Sequence, residues 1–172
     1  MTLMVDASDE ELLDAGDTPG LVRRHYGPVY GLARRLLGSE LDARDAAQET
    51  FARAIAHLKE FDRRRSFRTW IFAIVSNHIR DLLRRRRQVP LDDAEESLPD
   101  LSLPESPVIR REDRDRVLAA VDRLPFEWKI VVTLKVQQDL SPLEIADTLG
   151  ISVNAVRIRL YRALAALRKE LS

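Results

Sequence analysis

The chain of 172 residues contains no cysteine, which excludes disulfides, thiolate ligands and thiol nucleophiles and suits a reducing compartment such as the cytosol. Glycine is scarce, with six residues, and none of them falls in a Gly-rich phosphate-binding loop. Histidine is scarcer still: His25, His57 and His78 lie on three separate predicted helices with no metal-type spacing. No His-Glu-x-x-His or nucleophile elbow occurs, so the sequence predicts no enzyme and no cofactor. No apolar run approaches the ~18 residues of a membrane span. The opening "MTLMVDASDEELLDAGD" is acidic, unlike a signal or transit peptide. Net charge is also missing overall, since 28 basic residues offset 28 acidic ones.

What is present is charge, at 33% of residues, and it is unevenly spread. Ser152 to Lys169 carries Arg157, Arg159, Arg162, Arg168 and Lys169 with no acid, and Lys59 to Arg87 carries ten basic residues against Glu60, Asp62 and Asp81. Two basic surfaces on a neutral chain point to two contacts with a polyanion. The compensating acids lie mostly at the N-terminus and in "QVPLDDAEESLPDLSLPESPV", which has four prolines and no helical or strand period. This stretch, residues 88–107, reads as a flexible acidic linker. Everything else reads helical. The spacing predicts helices over Ser8–Ala15, Leu21–Leu37 (bent or interrupted at Gly27-Pro28), Asp42–Phe61, Phe67–Arg87, Ile109–Leu124 and Phe126–Gln138. The expected fold is all-α: two small helical domains, residues 1–87 and 108–172, joined by the linker.

The C-terminal stretch "SPLEIADTLGISVNAVRIRLYRALAALRKEL" reads as a helix-turn-helix. Ser141, Pro142 and Glu144 open the first helix with a capping box, Gly150 makes the turn, and Ser152 caps the second helix. Val153, Val156, Leu160, Leu164, Leu167 and Leu171 share one face of that helix. Asn154, Ile158, Tyr161 and Arg162 point the other way, with Arg157 and Arg159 on the flanks. An outward isoleucine among arginines is odd for a helix that meets only water, but fits a major groove, where Ile158 reaches a thymine methyl. The alternative is a solvated helix pair closing a bundle.

Two faces lie in the first half. Asp45, Gln48, Glu49 and Arg53 line up opposite the apolar stripe of Ala47, Phe51, Ala54, Leu58 and Phe61. By spacing alone this is a solvated face with a Glu49–Arg53 pair, or a docking face for another protein. On the next helix, Asn77, Arg80, Asp81 and Arg84 form one polar face. The apolar repeat there runs through Trp70, Ile71, Ile74, Val75, Ile79 and Leu82. Upstream, "KEFDRRRSFRTW" interleaves Arg63, Arg64 and Arg65 with Phe61, Phe67 and Trp70. Such a mixture suits single-stranded nucleic acid, where cations follow the backbone and rings take unstacked bases. The expectation is a Trp70 mostly in the core and arginines left for function.

The order "DARDAAQETFARAIAHLKEF", "RSFRTWIFAIVSNHIRDLLRRRR", a variable linker and "LPFEWKIVVTLKVQQDLSPLEIADTLGISVNAVRIRLYRAL" resembles a bacterial sigma factor of the extracytoplasmic-function (ECF) subfamily of the sigma-70 class. The resemblance covers nearly the whole chain. It implies a non-catalytic polymerase subunit whose first domain binds core RNA polymerase and the melted −10 element, and whose last binds the duplex −35 element. The family's core-binding pattern matches Asp45, Gln48 and Glu49, which favours docking over solvation for that face. Its −10 pattern matches Phe67, Trp70, Val75, Asn77 and Asp81, so the candidate −10 set is Arg63, Arg64, Arg65, Asn77, Arg80, Asp81 and Arg84. The −35 pattern matches Ser152, Val156, Arg157, Arg159, Leu160, Arg162 and Ala163, so the candidate −35 set is Ser152, Asn154, Arg157, Ile158, Arg159, Tyr161 and Arg162. Leu164–Ala165 departs from the family, which often has a further basic residue there. The extra domains of housekeeping sigma factors have no counterpart in this sequence. The resemblance also implies an anti-sigma factor partner.

The competing reading is a helix-turn-helix regulator that is not a polymerase subunit; it predicts a ligand pocket or phosphoacceptor, and neither signature occurs. A helical RNA-binding or adaptor protein is a further alternative. A flexible 20-residue linker has an r.m.s. span of ~25 Å and an extended reach of ~70 Å. Sites one and a half helical turns of DNA apart, ~50 Å, are therefore reachable only with the linker held stretched.

Overall fold

A computed structural model describes residues 7–86 and 111–172. The expected linker, and Arg87, lie outside the described residues. Among the described residues all regular structure is helical: α1 (Asp9–Asp14), α2 (Thr18–Leu37), α3 (Glu40–Ala56), a 3-10 turn at Leu58–Glu60, α4 (Phe67–Arg85), α5 (Arg111–Asp122), α6 (Phe126–Val136), α7 (Pro142–Leu149) and α8 (Val153–Leu171). The chain divides into two compact units, Met1–His78 and Ile79–Ser172, with the division inside α4.

Helix ends follow local chemistry. Ser8 accepts from the Glu11 amide while Glu11 accepts from the Ser8 amide, a closed capping box. That backbone hydrogen bond holds the Glu11 carboxyl below the usual carboxylate range. Ser39 caps α3 through the Asp42 amide, so this helix starts two residues before the expected Asp42. It also ends earlier than expected, at Ala56, and Leu58–Glu60 continues as a 3-10 turn.

Of the bend or interruption expected at Gly27-Pro28, the interruption does not occur: α2 runs as one helix through Pro28. Proline removes one backbone donor. The stripe of Leu21, His25, Val29, Leu32 and Leu36 is buried on both sides of it, and packing of that stripe outweighs the missing bond. In the first unit this stripe meets Ala43, Ala47, Phe51 and Ala54 of α3, where alanines at helical spacing allow close approach. On α4 the buried residues are Phe67, Thr69, Ile71, Phe72, Val75, Ser76, Ile79 and Leu83. Trp70, Ile74 and Leu82, expected in the apolar stripe, are only half-buried.

In the second unit α8 packs against α5, α6 and α7. Ser141 and Glu144 form the capping box of α7, and Gly150 adopts φ 65°, a left-handed conformation that glycine takes without a Cβ clash. Ser152 then caps α8 through the Ala155 amide. Ile130, Leu134, Leu140, Ile145, Val156 and Leu160 form the centre of this core.

Candidate functional site

Three groups of side chains were expected to carry function, and the fold treats each differently. On α3, Asp45 and Gln48 are exposed, and Glu49 accepts from Arg53 Nε at 2.7 Å. The docking alternative therefore has its polar groups on the surface. The same exposed strip also holds two large apolar residues that pattern reading passed over. Leu41 is 66% exposed and Ile55 50% exposed. With Asp45, Gln48 and Ala52 they repeat at intervals of three or four, one line along the outside of α3. Leu41 was missed because it precedes the expected helix start. Ile55 was missed because it sits beside Ala54 and Leu58, which belong to the inward stripe.

The loop from Phe61 to Ser66 is anchored at both ends by an aromatic cluster. Phe61 and Phe67 are buried and meet edge-on at 5.7 Å, and Trp70 lies 4.8 Å from Phe61 and 5.6 Å from Phe67. His25 completes the group, 5.1 Å from Phe67. These rings hold each other, so the loop's polar residues stand outward: Asp62, Arg63, Arg64, Arg65 and Ser66 are all exposed. Asp62 binds Arg64 through both carboxylate oxygens, at 3.0–3.2 Å, and also accepts from the Arg64 amide. The Arg64 side chain thereby holds the Asp62 carboxyl below its ordinary range, and the hydrogen bond to Asp62 raises the Arg64 guanidinium above its own. Arg63 reaches out of the loop to Asp14 of α1, at 2.8 Å.

On the polar face of α4, Asn77, Asp81 and Arg84 are exposed. Arg80 is not: its side chain is 14% exposed, and its Nε donates to Glu127 on α6 at 3.3 Å. Glu127 also accepts from Arg159 Nη1 on α8 at 2.9 Å. Both arginines were expected to meet DNA. In this arrangement they neutralise a half-buried carboxylate, which sequence spacing could not foretell because the three residues are far apart in the chain.

Helix α8 divides likewise. Asn154, Arg157 and Tyr161 are exposed, Ser152 caps the helix at the surface, and Arg162 is half-buried. Ile158 is a correction. It points away from Val156 and Leu160, as its position requires, yet is only 9% exposed. It therefore offers no methyl-reading surface here, because an isoleucine on a polar face gains by finding apolar cover. The exposed set that can meet a groove is Asn154, Arg157 and Tyr161.

A capped short helix, a left-handed glycine turn and a basic second helix define a helix-turn-helix protein of the nucleic-acid-binding class. Residues 21–89 match Sigma-70 region 2, and residues 114–167 match Sigma-70, region 4. The chain is 34% identical over 154 residues to the ECF RNA polymerase sigma factor SigW of Bacillus subtilis (strain 168), covering 83% of this chain and 82% of SigW. It is 37% identical over 157 residues to the sigma factor CnrH of Cupriavidus metallidurans, covering 86% and 82%. A solved structure of CnrH with the cytosolic domain of CnrY superimposes with TM-score 0.64 at 32% identity, over 92% of this chain and 94% of that one. The sigma factor RpoE of Bartonella quintana, solved with the anti-sigma factor NepR, shares the fold at TM-score 0.69 and 20% identity, over 90% and 96%. The chain belongs to the ECF subfamily of the sigma-70 class of RNA polymerase sigma factors.

Proposed function

We propose that residues 1–87 dock on core RNA polymerase and capture the melted −10 element, that residues 88–107 tether, and that residues 108–172 read the duplex −35 element. The observation that carries this reading is the order of the two sigma regions, each bearing an exposed polar face of the right chemistry. The α3 line of Leu41, Asp45, Gln48 and Ile55 is the polymerase face, with the apolar pair flanking the polar centre. The exposed Arg63–Arg65 loop and the Asn77, Asp81 and Arg84 face take the opened strand, where unstacking cost is smallest in easily melted DNA. On α8, Asn154 and Arg157 approach base edges while Arg162 fixes register on phosphate. Arg80, Arg159 and Ile158 join these surfaces only if their present partners release them.

CnrH was solved with a CnrY domain, and a likeness at 32% identity supports a comparable anti-sigma factor for this chain. We place its action in the cytoplasm, with the polymerase; among the described residues no helix is long and apolar enough to cross a membrane. The direct test is co-purification with core polymerase followed by transcription from a promoter library. Binding to core with promoter-dependent initiation is expected. Autonomous operator binding without core association refutes the reading in favour of an ordinary regulator.

The terminal helix supplies a finer test. Arg162→Ala is expected to lower affinity for all duplexes alike and to flatten the salt dependence, as loss of a phosphate contact does. Arg157→Ala is expected to relax preference at one or two positions, at ~1–3 kcal/mol for the preferred base. Identical sequence profiles and salt slopes for the two variants contradict this division of roles.

A further inference from the structure

The ion pair between Arg63 and Asp14 joins residues 49 positions apart, and its acidic half belongs to a helix that no part of the sigma reading uses. Helix α1, "DEELLD", carries four carboxylates and no basic residue. Its position on the unit is built rather than accidental. The Asp9 carboxylate binds the His25 ring at 2.7 Å and Arg24 Nε at 3.1 Å. Arg24 Nη1 also donates to the Ala7 carbonyl at 2.6 Å. Leu12 is buried, and at Gly20 a Cβ would come within 2.7 Å of the Leu12 side chain, so α2 gives up a side chain to let α1 lie close. His25 in turn touches Phe67, the first residue after the loop. One end of α1 is thus locked to the body, and the other places Asp14 against Arg63.

We infer that Asp14 is a specificity-determining residue that competes with nucleic-acid phosphate for Arg63. This rests on the reading that the Asp62–Ser66 loop faces the opened −10 strand. A free guanidinium attracts any phosphate backbone and adds affinity without sequence information. Paired with Asp14, Arg63 contributes little to a random strand, because a phosphate must first displace the carboxylate. A strand already seated by base contacts holds its phosphate at the arginine long enough to make the exchange. The pair is exposed, Arg63 at 50% and Asp14 at 76%, so it opens readily and tunes affinity rather than blocking it. Asp62 and Arg64 form their own pair within the loop, which leaves Asp14 as the competitor drawn from outside it.

The test uses holoenzyme reconstituted from core polymerase and the full chain, with a fluorescent oligo-dT single strand as the non-promoter probe over a salt series. Asp14→Asn is expected to bind it about two- to fivefold more tightly, the range set by an exposed ion pair. The dependence of log affinity on log salt is expected to steepen by ~0.7, one more phosphate contact on a single strand. Asp14→Glu is expected to behave as wild type, because it restores the carboxylate. In an Arg63→Ala background, adding Asp14→Asn is expected to change neither affinity nor slope. Unchanged binding by Asp14→Asn overturns the inference, and so does a gain that persists without Arg63, since that reports general charge removal. If Arg63→Ala alone leaves both affinity and slope at wild-type values on a single strand carrying the promoter −10 sequence, the loop does not face the strand, and the underlying reading fails with it.

Discussion

Charge reversal at both Asp45 and Glu49 is expected to weaken association with core RNA polymerase on the order of 100-fold, because like-charge juxtaposition across an interface costs several kcal/mol. The fold is expected to survive. Asp45 is exposed, and Glu49 loses only its surface pair with Arg53, worth a few tenths of a kcal/mol. Both residues lie opposite Ala43, Ala47 and Ala54, the buried side of α3. Circular dichroism and thermal melting establish the intact fold, and competition against wild type for limiting core measures the loss. Equal competition with unchanged helicity rules out α3 as the docking face. Leu41 and Ile55 sharpen the same experiment: if the exposed line is one interface, Leu41→Ala with Ile55→Ala weakens core binding by more than it lowers stability, since both side chains are at least half exposed.

Replacing Asp62–Ser66 with a loop of different sequence is expected to change which base is preferred in the −10 element and to leave −35 preference unaltered. The aromatic cluster of Phe61, Phe67 and Trp70 is outside the exchanged segment, so both loop ends remain anchored. Within the segment, Asp62 and Arg64 pair with each other, and an exposed loop leading into the helix that carries the exposed Asn77 can wall a pocket for one extruded base. Flanking arginines would neutralise the phosphates on either side. A merely solvated loop predicts instead a uniform fall in affinity with no change of preferred base. Transcription from a library randomised across both elements distinguishes them. An unaltered −10 profile leaves the reading to Asn77 and its helix.

Much of this molecule is legible locally. Capping boxes at Ser8 and Ser141, the cap at Ser152 and the glycine turn at Gly150 depend on residues within four positions of each other, so the chain declares them in one dimension. Helical period likewise placed Val156, Leu160 and Leu167 inside and Asp45, Gln48, Asn77, Asp81, Arg84, Asn154 and Arg157 outside. The order of the two sigma regions is a property of the chain itself.

Other features depend on what lies over or beside a residue, which period cannot supply. Period gives the direction in which Ile158 points, and only the packed structure buries it. Arg80 and Arg159 read as free cations until Glu127, distant in sequence, supplies a carboxylate. A helix through Pro28 survives because its buried stripe outweighs one missing hydrogen bond, a balance that local propensity does not contain. Asp14 looked like one acid among several at an acidic N-terminus. Its place beside Arg63 comes from the seating of α1 on His25 and Gly20, because the strength of an ion pair depends on separation in space rather than along the chain.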